Sequence, residues 1–268
     1  MKKQILLFLF INFISSCTSQ NWEGKVEIDS TLDEVSAIET TKQSNYHWVI
    51  QDAGNDNILY GLDKENGDVV KEIEITNAKN KDWEELSKDE QGNLYIGDIG
   101  SNSKKRNKFT IYKIKADSLE NNKSKAETIE FKLPNKKDEK DFEAFFLFKK
   151  NFYVFSKEED ETFVYKIPNI IGEHKAVFLK KINLKAKNSK VTSADISPDG
   201  DKIVLLNHNR IWLLEDVEIE NFNYSNLTKI EFNHDTQKEG ICFSDDYTIL
   251  ITDERHDDDS FIYTYKLE

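Results

Sequence analysis

The sequence predicts an all-β fold, a five-bladed β-propeller made of four-stranded blades. Three observations carry that reading. An acidic phrase recurs five times, as DEVSAIE from Asp33, DWEELSK from Asp82, DFEAFFL from Asp141, TSADISP from Thr192 and QKEGICF from Gln237. Each copy opens an apolar run that ends at a tight turn, and further runs with strand alternation follow without a helical pattern between them. The last repeat is one strand short, and a spare strand stands at the opposite end of the chain. Self-similarity at this period, in strands alone, is the mark of a propeller.

The elements follow in order. The first repeat reads VSAIET, YHWVIQD, ILYGLD and VVKEIEI, and the second ELSKD, LYIGD, FTIYKI and ETIEFKL. The third gives AFFLFK, FYVFSK, TFVYKI and AVFLKKINL, and the fourth SADISP, KIVLLN, RIWLLED and LTKIEF. The fifth supplies ICFS, TILITD and FIYTYKL, and its missing outer strand is KVEID, from Lys25 to Asp29. Pairing that strand with the last blade closes the ring and removes two sheet edges. A six-bladed ring is the alternative, and needs the long second repeat to hold a further degenerate blade. Turns between first and second strands, such as Ser197-Pro198-Asp199-Gly200, have type I chemistry and a structural role.

Residues ahead of the repeats read as targeting. Lys2 and Lys3 precede ILLFLFINFI, and ISSC follows, ending at Cys17. An apolar stretch of this length after basic residues is a secretory signal, too short for a resident span. ISSC resembles a lipobox, whose cysteine becomes residue one and carries diacylglycerol. The expected organisation is a signal peptide at 1–16, a lipid anchor and linker at 17–24, and the propeller at 25–268. The chain is then exported and membrane-anchored on the periplasmic or cell-surface side, touching the membrane only through the lipid on Cys17. Its net charge of −13 repels phosphate backbones and disfavours nucleic acid. Cys242, the other cysteine, reads as a small buried hydrophobe.

Propeller symmetry brings equivalent positions of all blades to one axis. At the inner-strand starts the repeats align Glu34, Glu84, Glu143, Asp195 and Glu239, a candidate metal ring. Loops between second and third strands share that face and add candidate ligand contacts: Asp52, Asn55, Asp98, Asn102, Lys157, His208, Asp253 and Arg255. Trp83, beside Glu84, is placed at the channel mouth, where its ring could stack a ligand. DAGNDN and GDIGSN share a D-x-G-[SN] core that offers oxygens to a cation or a sugar hydroxyl. Close carboxylate pairs repel by about 4 kcal/mol at an effective dielectric near 20. Protonation, a basic partner or a bound cation must relieve that, and all-oxygen donors favour Ca²⁺. The structural alternative is that the acids accept backbone N–H groups from neighbouring blades and staple the ring.

DAGN, DWEE, GDIGSN, DFEA, ADISPDG and KEG, in that order, resemble a family of exported propellers. The chain is also similar, more loosely, to the SdiA-regulated propellers and to phytase-like and gluconolactonase-type propellers, from about Leu32 to Lys266. The lactonase-type resemblance implies a divalent cation in the channel, carried over to Glu34, Glu84, Glu143, Asp195 and Glu239. The expected function is binding of a small molecule, glycan or envelope protein through an acidic, Ca²⁺-holding face. Two other readings stand beside it. One is a metal-dependent hydrolase of a lactone, phosphoester or glycan, with Glu84, Glu143 or His208 in catalysis. The other is a structural envelope lipoprotein.

Overall fold

The computed structural model of the protein describes residues 22–135, 139–184, 186, 189–232, 236–255 and 259–267. The expected signal peptide at 1–16 and Cys17 lie outside these residues, so the targeting readings lie outside them too.

Five antiparallel sheets follow one another in the chain and form the blades. The inner strands are Val35–Thr40, Trp83–Lys88, Phe142–Phe148, Ser193–Ile196 and Lys238–Phe243. They are almost wholly buried, because both faces meet neighbouring blades, and their run of small, aliphatic and aromatic side chains suits that. Blade 5 is completed from the other end of the chain. The strand Trp22–Glu27 pairs antiparallel with Phe261–Lys266, from Trp22 opposite Tyr265 to Glu27 opposite Phe261. The strand begins three residues before the expected Lys25, because Trp22 packs against Phe232, Tyr263 and Tyr265. The six-bladed alternative is set aside: the long second repeat forms one blade.

Extra residues in the second and third repeats do something else. Lys123–Ser124 and Gly172–Lys175 each add a fifth, parallel strand, to blades 1 and 2 respectively. Each comes from the following blade's share of the chain and covers part of an edge that would otherwise be open.

The core is divided as a ring requires, with one apolar cluster at each of five interfaces. Trp48, Trp83 and Tyr112 fill the space between blades 1 and 2, and Phe109, Phe142 and Phe145 that between blades 2 and 3. Phe146, Phe155 and Trp212 lie between blades 3 and 4, and Val204, Phe243 and Tyr265 between blades 4 and 5. Ile38, Leu62 and Cys242 close the last interface, and Cys242 is the buried hydrophobe its surroundings suggested. The turn at Ser197–Gly200 forms as expected, with Gly200 at φ +83° and its N–H on the Ser197 carbonyl at 2.8 Å.

Candidate acidic site at the channel mouth

In four blades the inner strand begins with a β-bulge. The register slips between Val35 and Ala37, Trp83 and Glu85, Phe142 and Ala144, and Lys238 and Gly240. The bulged residues are Ser36, Glu84, Glu143 and Glu239. A bulge turns its side chain away from the pleat, a device common beside functional sites. Three of the five ring acids are therefore equivalent.

The other two are not. Glu34 lies two residues before its bulge, in register with Asp82 and Asp141, so the serine at 36 occupies the ring position in blade 1. Asp195 lies deeper, inside a strand opposite Val204, where its Oδ2 accepts the Phe243 N–H at 2.7 Å. The sequence alignment of both residues is corrected: Glu34 stands two residues ahead of the ring position, and Asp195 lies within an inner strand that pairs in regular register, without a bulge.

The channel thus has two tiers. The deep tier holds Glu39, Glu85, Asp195 and Lys88. Glu85 is fully buried and crosses from blade 2 to blade 4, accepting the Ser193 hydroxyl at 2.6 Å and the Ala194 N–H at 3.0 Å. Lys88 reaches Glu39 at 2.7 Å and the Phe243 carbonyl at 3.1 Å, linking blades 2, 1 and 5. Burial lifts the acidities of Glu39, Glu85 and Asp195. These residues are staples.

The upper tier forms the mouth. Asp52, Asp82 and Glu84 bring one carboxylate oxygen each within 4.8 Å of one another. Asp52 comes from the loop after the second strand of blade 1, Asp82 from the approach to the inner strand of blade 2, and Glu84 from its bulge. Glu84 is only 5% exposed, and no hydrogen bond or ion pair reaches its carboxylate from the described residues. The Asp52 carboxylate accepts the neighbouring Ala53 N–H. Burial raises all three acids: Glu84 well above its usual range, with Glu143 and Asp52 adding repulsion, and Asp82 to about 6, helped by Asp52 and Asp141. For Asp52 the repulsion of Glu239 and Glu34 adds to burial. Gly100 makes the cluster possible, since a Cβ there would stand 2.0 Å from Glu84 Oε1 and 2.6 Å from Asp82 Oδ2.

Around this trio the remaining acids have partners. Glu143 lies 2.8 Å from Lys157, Glu239 lies 3.0 Å from His208, and Glu34 accepts the Asn55 amide at 2.6 Å. Burial lifts Glu143 even against the pull of Lys157. Asp52, Asn55, Lys157 and His208 therefore share the mouth with Glu84, Glu143 and Glu239, as the sequence suggested. Asn102 is exposed, further out on the loop that carries Gly100.

Four residues expected there play other parts. Trp83 is fully buried between blades 1 and 2, with its indole N–H on the Lys79 carbonyl at 3.2 Å, because the bulge sends Trp83 into the core and Glu84 to the mouth. Asp98 is buried against Arg106 at 2.8 Å. Asp253 is consumed within blade 5, accepting the Phe261 N–H at 2.6 Å and the Thr236 and Tyr263 hydroxyls at 2.8 Å. Arg255 donates to the Ile28 carbonyl at 3.0 Å and pairs with Asp33 and Asp259, fastening the chain beyond the closing strand. The DAGN and GDIGSN loops also differ: Asp52 aligns with Ile99, not Asp98, so the shared motif sits one residue out of register. Asp82 and Gly100 are the site residues that sequence reasoning missed. The recurrence of Asp before the bulged Glu, in DWE and DFE, was the available signal.

The SdiA-regulated family model matches residues 15–256. The chain belongs to the SdiA-regulated family. No curated protein matches it. Among solved structures, hydrazine synthase of Kuenenia stuttgartiensis is similar at 14% identity with a TM-score of 0.45. That alignment covers 84% of this chain and 57% of the other, so this SdiA-regulated propeller spans little more than half that chain's length.

Proposed function

We propose that this SdiA-regulated propeller is an exported, lipid-anchored binding protein that holds a divalent cation, Ca²⁺ by donor type, in its acidic mouth. With the cation in place, the mouth takes a small molecule, a glycan or an envelope protein. The anchor is the lipobox-like Cys17, and the strongly acidic chain keeps nucleic acid from the list of partners.

The observation that carries the reading is the pairing of Glu84 with Asp52 and Asp82. Three carboxylates converge within 4.8 Å, and the most buried of them has no hydrogen bond or ion pair among the described residues, Lys157 acting on it only from beyond ion-pair distance. Leaving such a group uncompensated is costly, and a hard cation with oxygen ligands is the chemistry that fits. In the deep tier, by contrast, Glu85 and Asp195 accept buried donors and Glu39 pairs with Lys88.

Thermal melting of the full chain tests this. Saturating Ca²⁺ is expected to raise the melting temperature, and Glu84→Gln to abolish the rise. A wild-type melting temperature indifferent to Ca²⁺, Mg²⁺ and chelator would remove the cation from the reading.

A further inference from the structure

On the face opposite the mouth, the chain leaves blade 3 at Pro168 and turns outward through Ile170 and Ile171 before Gly172–Lys175 pairs with blade 2. We propose that this isoleucine loop docks on the lipid bilayer to which Cys17 is anchored, so that its face lies on the membrane and the acidic mouth points away. The proposal rests on the lipid-anchor reading above and adds a protein contact to the lipid one.

The first argument is where large apolar side chains are exposed. Among the described residues these are Val70, Ile170, Ile171, Val177, Phe178 and Tyr247, and none belongs to the loops of the mouth. Val70, Val177 and Phe178 lie on outer strands, at the rim. Ile170, Ile171 and Tyr247 lie on the face opposite the mouth, and the two isoleucines are 61% and 50% exposed. Scattered exposed hydrophobes are ordinary, whereas an adjacent pair at the tip of a loop marks a contact surface.

The second argument is how the loop is built. The Asn169 N–H donates to the Lys150 carbonyl at 2.8 Å, the Asn169 amide to the Tyr95 hydroxyl at 2.9 Å, and the His174 ring meets the Ile170 carbonyl at 2.6 Å. These bonds fasten the base of the loop to blades 2 and 3 and leave its isoleucines in solvent. Exposed Lys149 and Lys150 stand in the turn beside that base, and Lys113 lies over the Tyr95 ring at 5.6 Å. The acids that meet these residues are engaged: Asp89 accepts the Tyr95 hydroxyl at 2.9 Å, and Glu127, opposite Lys113, pairs with Lys115 at 2.9 Å. An apolar tip flanked by lysines suits the boundary between headgroups and acyl chains, and complements anionic lipid.

The third argument is the tether. Trp22 pairs with Tyr265, and the Leu267 N–H donates at 2.7 Å to the Tyr247 carbonyl, in the turn between the first two strands of blade 5. Those turns lie away from the mouth, so the chain towards Cys17 leaves from the same face as the isoleucine loop. Cys17 precedes Trp22 by five residues, a reach of at most about 18 Å. The strand Trp22–Glu27, running on towards the mouth side, is itself about 20 Å long. A lipid on Cys17 therefore holds this face closer to the bilayer than the mouth. Blade 5 stands across the ring from the interface of blades 2 and 3, so tether and loop secure opposite edges of one face. Tyr247, an aromatic suited to the headgroup layer, lies beside the tether.

Bimane fluorescence of the full chain tests this in phosphatidylcholine and phosphatidylglycerol vesicles that contain a doxyl-labelled lipid quencher. Intact mass establishes first whether Cys17 carries lipid; if it does not, the anchor reading falls and this proposal with it. The label is placed on Ile171→Cys or, at the mouth side, on Asn102→Cys, and Cys242 is buried away from the reagent. In the lipidated chain the bimane at 171 should be quenched and that at 102 should not. A label on Lys150→Cys should lose its quenching when Ile170→Ser and Ile171→Ser are added, since both positions are exposed and the core is left intact. A lipidated chain unquenched at 171, equally quenched at 171 and 102, or still quenched at 150 after both serine changes overturns the docking and leaves the anchor standing. A bimane at 171 that shifts to the blue with protein concentration, without vesicles, assigns the loop to a second copy of the chain and overturns lipid as its occupant.

Discussion

Glu84 and Glu85 are adjacent in sequence and equally acidic on paper, yet they occupy different tiers of the channel. Glu85 crosses the axis and is held by the Ser193 hydroxyl and the Ala194 N–H. Glu84, turned aside by the bulge, meets two other carboxylates and no described donor. The difference teaches that burial alone does not define a site in this fold. What separates the two glutamates is whether the protein itself answers the charge with a direct partner.

The comparison can be broken most forcefully at the staple. Glu85→Ala removes the acceptor of three buried donors, the Leu86 and Ala194 N–H groups and the Ser193 hydroxyl, and leaves a void, so a loss of about 3 kcal/mol in urea unfolding is expected. Glu84→Gln in chelator should cost nothing or stabilise the chain, since it removes a buried carboxylate without partners. Equal losses from both variants would erase the distinction between the tiers.

Gly100→Ala comes next. The new methyl group would collide with Glu84 Oε1 and Asp82 Oδ2 and force the trio apart. Calcium affinity should fall at least about tenfold, equivalent to 1.4 kcal/mol. The deep tier should be untouched, so near-ultraviolet circular dichroism in chelator should match the wild type.

Protons sharpen the contrast at smaller scale. Asp82 is raised to about 6 in the folded chain from 3.8, so folding favours its protonated form. In chelator that contribution is fully present below about pH 4 and is lost as the pH rises through 6. Calcium must displace the same proton. Its affinity should therefore climb between pH 5 and 7, with proton release detectable in buffers of different ionisation enthalpy. Calcium binding that is flat across this range would place the cation away from Asp82.

The smallest effect is expected at Arg255, which lies on the same face as the mouth but acts as a fastener. Arg255→Ala should cost about 1 kcal/mol and speed amide exchange around Ile28, without altering calcium binding.

The blades were legible in the sequence because strand alternation and turn chemistry are local. YHWVIQD, KIVLLN and FIYTYKL each announce a strand, and the three-plus-one arithmetic of blade 5 revealed the ring. The site was legible only in part. Glu84, Glu143 and Glu239 follow the repeat, and their loop neighbours Asp52, Asn55, Lys157 and His208 follow from strand polarity. Glu34 slipped because blade 1 carries a serine, Ser36, at its bulge, and Asp195 because the inner strand of blade 4 pairs in regular register with no bulge to align. Trp83 was misplaced because the bulge at Glu84 sends it into the core. Asp98 and Asp253 carry the same chemistry as Asp52, and only the three-dimensional positions of Arg106, Thr236 and Tyr263 reveal that they are already engaged. The fifth strands at Lys123–Ser124 and Gly172–Lys175 are set by the edge they cover, not by their own residues.

The pairing of Trp22 with Tyr265 fixes an order of assembly. The strand Trp22–Glu27 cannot find its partner until Phe261–Lys266, more than two hundred residues later in the chain, has been made. Until then blade 5 lacks its fourth strand and the nascent chain carries an open, sticky flank. Rapid local folding of blades 1 to 4 would shorten that interval. A circular permutant joined at the old termini and cut between two blades would remove that wait.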